Sequence, residues 1–342
     1  MNLKNRCKMK LKLIIGIIIW LIVNPVSAQV TYSKPDEFSS IKKRTLIVEL
    51  LEVNKKQIEK WKKKKSKTKK PKVSREYGNM ILEYENFVKD YNSYIKAAVE
   101  KYWDFNSNIE YKTYTEVKKL RKSSKKYTVL WYSESGSQTA DEYGHKYFPD
   151  LTIPTLNYSR IEKGTRKVDY SFFMPNTGER KKNEIRLSDI IISLKLMKNQ
   201  INQIEKIGKK RYIFKSYAKD QAKENCNKLS GKKLYINELT IHKNTSIGQI
   251  KSAYKAGTVE KISDEEVSKA IENEEDYIIG FAIPYQIATG SVGPFSSAQI
   301  IFLKSFINVK TGKIYTYYGT SMGDFTDPFF RRKDFSKFGK CD

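Results

Sequence analysis

The sequence predicts an α/β protein, with α+β as the alternative. It reads as two related β-α-β-α-β-β-β units, each a mixed sheet covered by helices, joined by a helical connector. Three observations carry this. Short apolar runs rich in β-branched residues alternate with stretches of helical period. Two capping boxes, Thr113-Tyr-Thr-Glu116 and Ser263-Asp-Glu-Glu266, stand 150 residues apart; each precedes a valine (Val117, Val267) and, fourteen residues after the cap, a tyrosine that opens an apolar strand (Tyr127, Tyr277). Each half then closes on a turn signal, Glu162-Lys163-Gly164-Thr165 before VDYSFF and Lys310-Thr311-Gly312-Lys313 before IYTYY.

The first unit spans about residues 44–175. Thr45 to Val53 (TLIVELLEV) is its opening strand, and Asn54 with Gln57 caps a short helix to about Lys64. Residues 55–72 hold eleven lysines and one acid, Glu59, and are expected as an exposed helix end and loop because like charges this dense repel. A long helix from near Ser74 places Tyr77, Ile81, Tyr84, Val88, Tyr91, Ile95, Ala98 and Tyr102 on one stripe by alternating steps of four and three. Tyrosine is a poor coiled-coil seam residue, so the stripe is expected to pack on the protein's own sheet. The connector, 176–231, reads as one helix capped by Ser188 and carrying Ile190, Ile191, Leu194, Met197, Ile201 and Ile204. A second helix runs from about Phe214 to Leu229 and stops at Gly231. The second unit spans 232–320. Residues 29–43 read as a flexible lead-in. Residues 321–342 form a basic, aromatic tail that either docks on the second unit or stays mobile.

The N-terminus reads as a cleavable secretory signal, residues 1–28. Five basic residues precede an eleven-residue apolar run, Leu13 to Val23, which is too short to span a bilayer. Asn24-Pro25 breaks it, and Val26-Ser27-Ala28 fits signal peptidase, with Gln29 the new N-terminus. No later stretch reaches ~20 apolar residues, so no transmembrane helix is expected after cleavage. The address is therefore periplasmic or extracellular.

Whole, the chain has 65 basic and 38 acidic side chains. Losing the signal removes five basic residues and no acid, so a net charge of about +22 belongs to the mature protein. That sign favours an anionic surface such as lipid head groups, acidic glycans or nucleic acid, and an envelope protein, a glycan or an anionic lipid surface is the expected partner. Nucleic acid is disfavoured, because Trp61 is the only aromatic within the lysine run and export removes the chain from the cytoplasm. Abundant aromatics, including 23 tyrosines, exclude a disordered chain. After signal removal two cysteines remain, Cys226 and Cys341, a candidate disulfide in an oxidising compartment.

The segments TLIVELLEV, AVEKYWDFN with YTEVKKL, and EEVSKAIENEEDYIIGFAIP with NVKTGKIYTY resemble uncharacterised exported proteins of Gram-negative bacteria over most of the mature chain. The unit order is similar to the small α/β domains at the N-terminus of TolB-type periplasmic proteins. The resemblance implies an envelope or extracellular location and no known activity.

Candidate site residues follow from the repeat. In both units a long Gly- and Ser-rich segment separates the third strand from the hairpin, 133–150 and 286–299. These are expected as ligand-binding loops, with Ser135, Gly136, Ser137, Gly290, Ser291 and Gly293 as candidates. Asp141, Glu142 and His145 lie close enough for acid–base work, which sets the alternative reading, a hydrolase-like enzyme. His242 is expected at the surface. Lys62, Lys63, Lys64 and Lys65 are the candidates for contact with an anionic surface. No GxGxxG, GK[ST] or GxSxG spacing and no zinc-type cluster is present, so neither cofactor nor metal is called for. The function expected is that of an exported, non-enzymatic binding protein, of no assigned oligomeric state.

Overall fold

The computed structural model describes residues 34–120, 125–137, 151–175, 184–208, 213–292, 295–318 and 328–339. Ten strands form two mixed five-stranded sheets packed with helices, an α/β fold of two similar units. The first contains β1 (Thr45–Leu50), β2 (Ile109–Thr113), β3 (Tyr127–Ser137), β4 (Leu151–Glu162) and β5 (Thr165–Phe173), ordered β2-β1-β3-β4-β5. The second contains β6 (Lys233–Asn237), β7 (Thr258–Ile262), β8 (Ile278–Val292), β9 (Phe295–Asn308) and β10 (Lys313–Tyr318), ordered β7-β6-β8-β9-β10. In each, the first three strands are parallel and the last two are added by antiparallel hairpins.

The ladders reproduce the sequence repeat residue for residue. Leu46 pairs with Ile109 and Thr128; Leu234 pairs with Val259 and Ile278, each partner 150 residues on. Both capping boxes form. The Thr113 and Ser263 amides donate to Glu116 and Glu266 at 2.7 Å, and the hydroxyls accept from the Glu116 and Glu266 amides. The β4–β5 turn has Lys163 and Gly164 at positive φ, the two-residue hairpin geometry its sequence announced.

Helices α1 (Pro35–Lys42), α2 (Lys55–Lys67), α3 (Pro71–Tyr102) and α4 (Tyr114–Leu120) belong to the first unit. Over Pro35–Lys42, helix α1 replaces the expected flexible lead-in. Pro35 opens it, the Glu37 carboxylate accepts the Lys34 amide, and Phe38 and Ile41, three residues apart, are fully buried. Between the sheets run α5 (Leu187–Ile207) and α6 (Phe214–Asn225); α7 (Ile247–Ala253), α8 (Asp264–Glu272) and α9 (Arg332–Phe335) complete the chain. Arg186, not Ser188, is the N-cap of α5, and Ser188 is buried inside the helix, where its hydroxyl meets that of Ser268 on α8.

Helix α5 is more than a connector. Ser188 to Met197 are ten consecutive buried residues, and α1, α3, β5, α6 and α8 pack around the helix. Its apolar side chains join both units in one core, with Tyr91, Ile95 and Leu156 from the first and Ile271, Phe281 and Leu303 from the second. Its buried polar groups find partners. Ser193 donates to the Asp189 carbonyl, Gln200 accepts from Tyr170, and Lys195 reaches Glu274 and the Val309 carbonyl while lying over the Tyr102 ring. Burial lowers the Lys195 pKa, against the opposing pull of Glu274. Gly312, at φ +68°, lets the β9–β10 turn rest on α5, since a Cβ there would meet Lys195 Cβ at 3.0 Å and Asn199 Nδ2 at 2.8 Å.

The two units meet this core with opposite faces. In β-α-β-α-β order the chain crosses the sheet one way and returns, so right-handed crossovers put successive helices on opposite sides. The first sheet turns its α3 face inward and leaves Val117 of α4 in a small outer cluster with Ile47, Val129 and Ile161. The second turns its α8 face inward, so the equivalent Val267 sits in the main core. Its outer face carries α7 and Phe330, Phe335 and Phe338 of the C-terminal segment, which pack on Leu234, Ile278 and Phe306. The tail therefore docks on the second unit over residues 328–339, held also by the buried Lys304–Asp334 pair at 2.7 Å.

Two outcomes are expected. Leu194→Ala on α5 should cost ~2–5 kcal/mol and destabilise both units together. The tryptophans of the described residues, Trp61, Trp103 and Trp131, all lie in the first unit, so fluorescence and far-UV dichroism melts should stay coincident; separated midpoints would show independent units. Backbone hydrogen bonds at the caps hold the Glu116 and Glu266 carboxyls below their usual value of 4.5. Their contribution is therefore complete above the unfolded value and fades as pH falls through the folded one. The Glu116→Gln/Glu266→Gln protein should melt below the parent near ~pH 7, with the gap closing toward ~pH 3; a gap constant with pH would contradict this.

Candidate functional site

The helix expected to about Lys64 forms and runs on to Lys67, so only residues 68–70 of the lysine run lie between helices. Asn54 caps α2 by accepting the Gln57 amide at 3.1 Å, and α2 continues to Lys67 before turning into α3 at Pro71. Only Ile58 of α2 is buried. Trp61 sets its ring edge-on against Tyr84 of α3 at 5.7 Å, and Lys64 lies over the Tyr77 ring. The predicted stripe on α3 thus divides. Val88, Tyr91, Ile95, Ala98 and Tyr102 are buried in the core, whereas Tyr77, Ile81 and Tyr84 are half-buried beside α2. The first sixteen residues of α3, before Phe87, contain no buried side chain. At 1.5 Å per residue, about 24 Å of a two-helix arm extends from the packed part of the fold.

Charge on this arm is one-sided. Ten basic residues and no acidic one lie between Lys60 and Arg75. Lys62, Lys63, Lys64 and Lys65 are all exposed, and among the described residues none of the lysines from Lys55 to Lys72 forms an ion pair. Several cations elsewhere are compensated: Lys42 by Glu205, Arg160 by Glu37, Glu162 and Asp169, and Arg166 by Glu49 beneath the Trp131 and Tyr114 rings. The arm is a helical cationic surface without ion-pair compensation among the described residues.

The other sequence-predicted residues fall differently. Ser135, Gly136 and Ser137 are not in a loop; they extend β3 and pair with Ile153, Thr152 and Leu151. Gly290 and Ser291 extend β8 and pair with Ser297 and Ser296. Both sets occupy the same place in their units, at the end of the third strand, where they continue the ladder with the fourth; residues 138–150 and 293–294 lie outside the described residues. Gly293, Asp141, Glu142, His145, Ala28, Gln29 and Cys341 lie outside the described residues. No helix among the described residues is long and apolar enough to cross a membrane, and no group of metal-ligating side chains occurs among them.

Cys226 is buried at the end of α6 and is disulfide-bonded; the other two cysteines, Cys7 and Cys341, lie outside the described residues. His242, expected at the surface, is half-buried and lines a cavity at the carboxyl end of β6, together with Phe329 and Arg331. Sequence reading missed this grouping because its two halves lie far apart in the chain and neither carries a motif.

Compared with known proteins, the chain matches no family model, no curated protein and no solved structure.

The cysteine reading gives one outcome. With Cys226 paired to Cys341, the denatured, unreduced mature protein should contain no free thiol, and Cys341→Ser should expose one. A free thiol in the parent protein would exclude the pairing.

Proposed function

We propose that this protein is an exported, non-enzymatic binding protein that attaches to anionic membrane surfaces through the α2–α3 arm. The observation that carries the reading is the run of ten basic residues without an acid from Lys60 to Arg75, held on two packed helices. Helices fix the ammonium groups on a preformed surface, so binding orders less chain than a flexible lysine loop would require. Each Lys near such a surface contributes about 1 kcal/mol, and the attraction decays over a Debye length of about 8 Å in physiological salt. Export supplies a compartment bounded by anionic head groups, and the aromatic contacts of Trp61 and Tyr84 keep the arm's two helices together.

The test is cosedimentation of the mature protein with phosphatidylcholine vesicles with and without phosphatidylglycerol. Binding is expected only with the anionic lipid and is expected to fall steeply with added salt. Replacing Lys62, Lys63, Lys64 and Lys65 with Gln should weaken it by about two to three orders of magnitude, with the melt unchanged. Unchanged binding of that variant at low salt would overturn the proposal.

A further inference from the structure

In each sheet the strand order reverses at the first strand, and α/β sheets hold ligands outside the carboxyl ends of the strands at such a point. The first unit fills this place with its own carboxylate: Glu52 accepts the Thr115 amide at 3.0 Å and hydroxyl at 2.8 Å. In the second unit the chain leaving β6 bounds a cavity of about 600 Å³, within the ~300–1,000 Å³ of small-molecule sites. One wall runs from Glu238 to Lys243 and the other is the C-terminal segment at Phe329 and Arg331. The two are joined by a bridge between Ile241 and Phe330, with the Phe330 amide donating to the Thr240 carbonyl at 2.7 Å and the His242 amide to the Phe330 carbonyl at 2.9 Å. Side chains alternate along extended chain, so Phe330 enters the core while its neighbours Phe329 and Arg331 line the cavity.

The wall has a definite chemistry. Leu239, 42% exposed, and Phe329 supply apolar surface. Glu238 is neutralised by Lys261 at 2.9 Å, which leaves Lys243 as the cation of this wall. The Asn244 amide donates to Nδ1 of His242, so the ring's proton belongs on Nε2 as a donor. The His242 donor and the Lys243 ammonium beside an apolar surface suit an anionic group on an apolar body.

We infer that this cavity binds a small organic anion with an aromatic or aliphatic body, and that the docked C-terminal segment completes the site. Ligand binding and docking of that segment are then linked, because the ligand binds only the docked form. The Lys304 ammonium, which donates to the Phe329 carbonyl at 2.6 Å and to Asp334, sets the position of this wall.

The probe is 8-anilinonaphthalene-1-sulfonate, an aromatic sulfonate, with N-phenyl-1-naphthylamine as its uncharged counterpart. On the mature protein the sulfonate should saturate one site and shift the His242 imidazole signal, assigned with His242→Gln. The uncharged compound should bind at least about tenfold more weakly. Phe329→Ala and Lys243→Gln should each weaken the sulfonate by about tenfold, whereas the Lys62–Lys65 replacement should leave it unchanged. This separates the cavity from the arm. Saturating sulfonate should also slow tryptic cleavage at Arg331–Lys333. A silent His242 signal, equal binding of the uncharged compound, or loss of binding only in the arm variant would overturn the inference; unchanged cleavage would overturn the linkage.

Discussion

A helix that is apolar on every side must be covered on every side, and a single sheet covers only one. Over Ser188 to Met197, α5 is such a helix, and the chain answers by setting a sheet and its helices on each flank. Buried side chains from α1, α3 and β5 meet it from the first unit, and those from α8 and the β9–β10 turn meet it from the second. The polar groups carried into this interior are the ones that lock it. Lys195 ties α5 to Glu274 and Val309, and Arg186 at its N-terminus is paired with Asp264 of the second unit. Each of these bonds crosses from the connecting helix to the second unit, so sliding the units past one another would strand a buried charge.

Because α5 takes the α3 face of one sheet and the α8 face of the other, the duplicated units are related in topology but not in use. The same crossover helix is outer in one and inner in the other, as Val117 and Val267 show. The differences between the units follow from this. In the first, the inner helix α3 runs 32 residues, and the half that finds no sheet beneath it continues outward with α2 as the basic arm. In the second, the corresponding outer helix α7 has only seven residues, too short to cover Phe306 and its neighbours. The C-terminal phenylalanines cover that face instead, and bringing the segment there creates the cavity beside His242. Both candidate sites thus sit where the repeat is broken.

Much of this was legible in the sequence because it is local. Capping boxes are four-residue patterns, and Thr113–Glu116 and Ser263–Glu266 formed as spaced. The Lys163-Gly164 turn needs positive φ, which glycine supplies, and the stripe from Val88 to Tyr102 has the period of its helix. The lysine density of residues 55–72 and the helix capped by Asn54 were plain, although charge repulsion argued for a loop beyond Lys64. Packing of Trp61 and Ile58 on α3 decided for a helix. Ser135 to Ser137, Gly290 and Ser291 were expected in loops from composition, yet small residues also pair in a ladder when a partner strand lies alongside.

By itself, then, the sequence determined the two units, their shared register and the cationic character of one segment, since each rests on neighbours within a few turns of chain or on a repeat of fixed offset. Tertiary structure alone decided which face of each sheet turns inward, that residues 35–42 and 328–339 dock, and that Leu239, His242, Phe329 and Arg331 share a cavity. Those outcomes depend on surfaces meeting between segments distant in the chain, where complementary shape and buried area choose the partner and no periodicity records the choice.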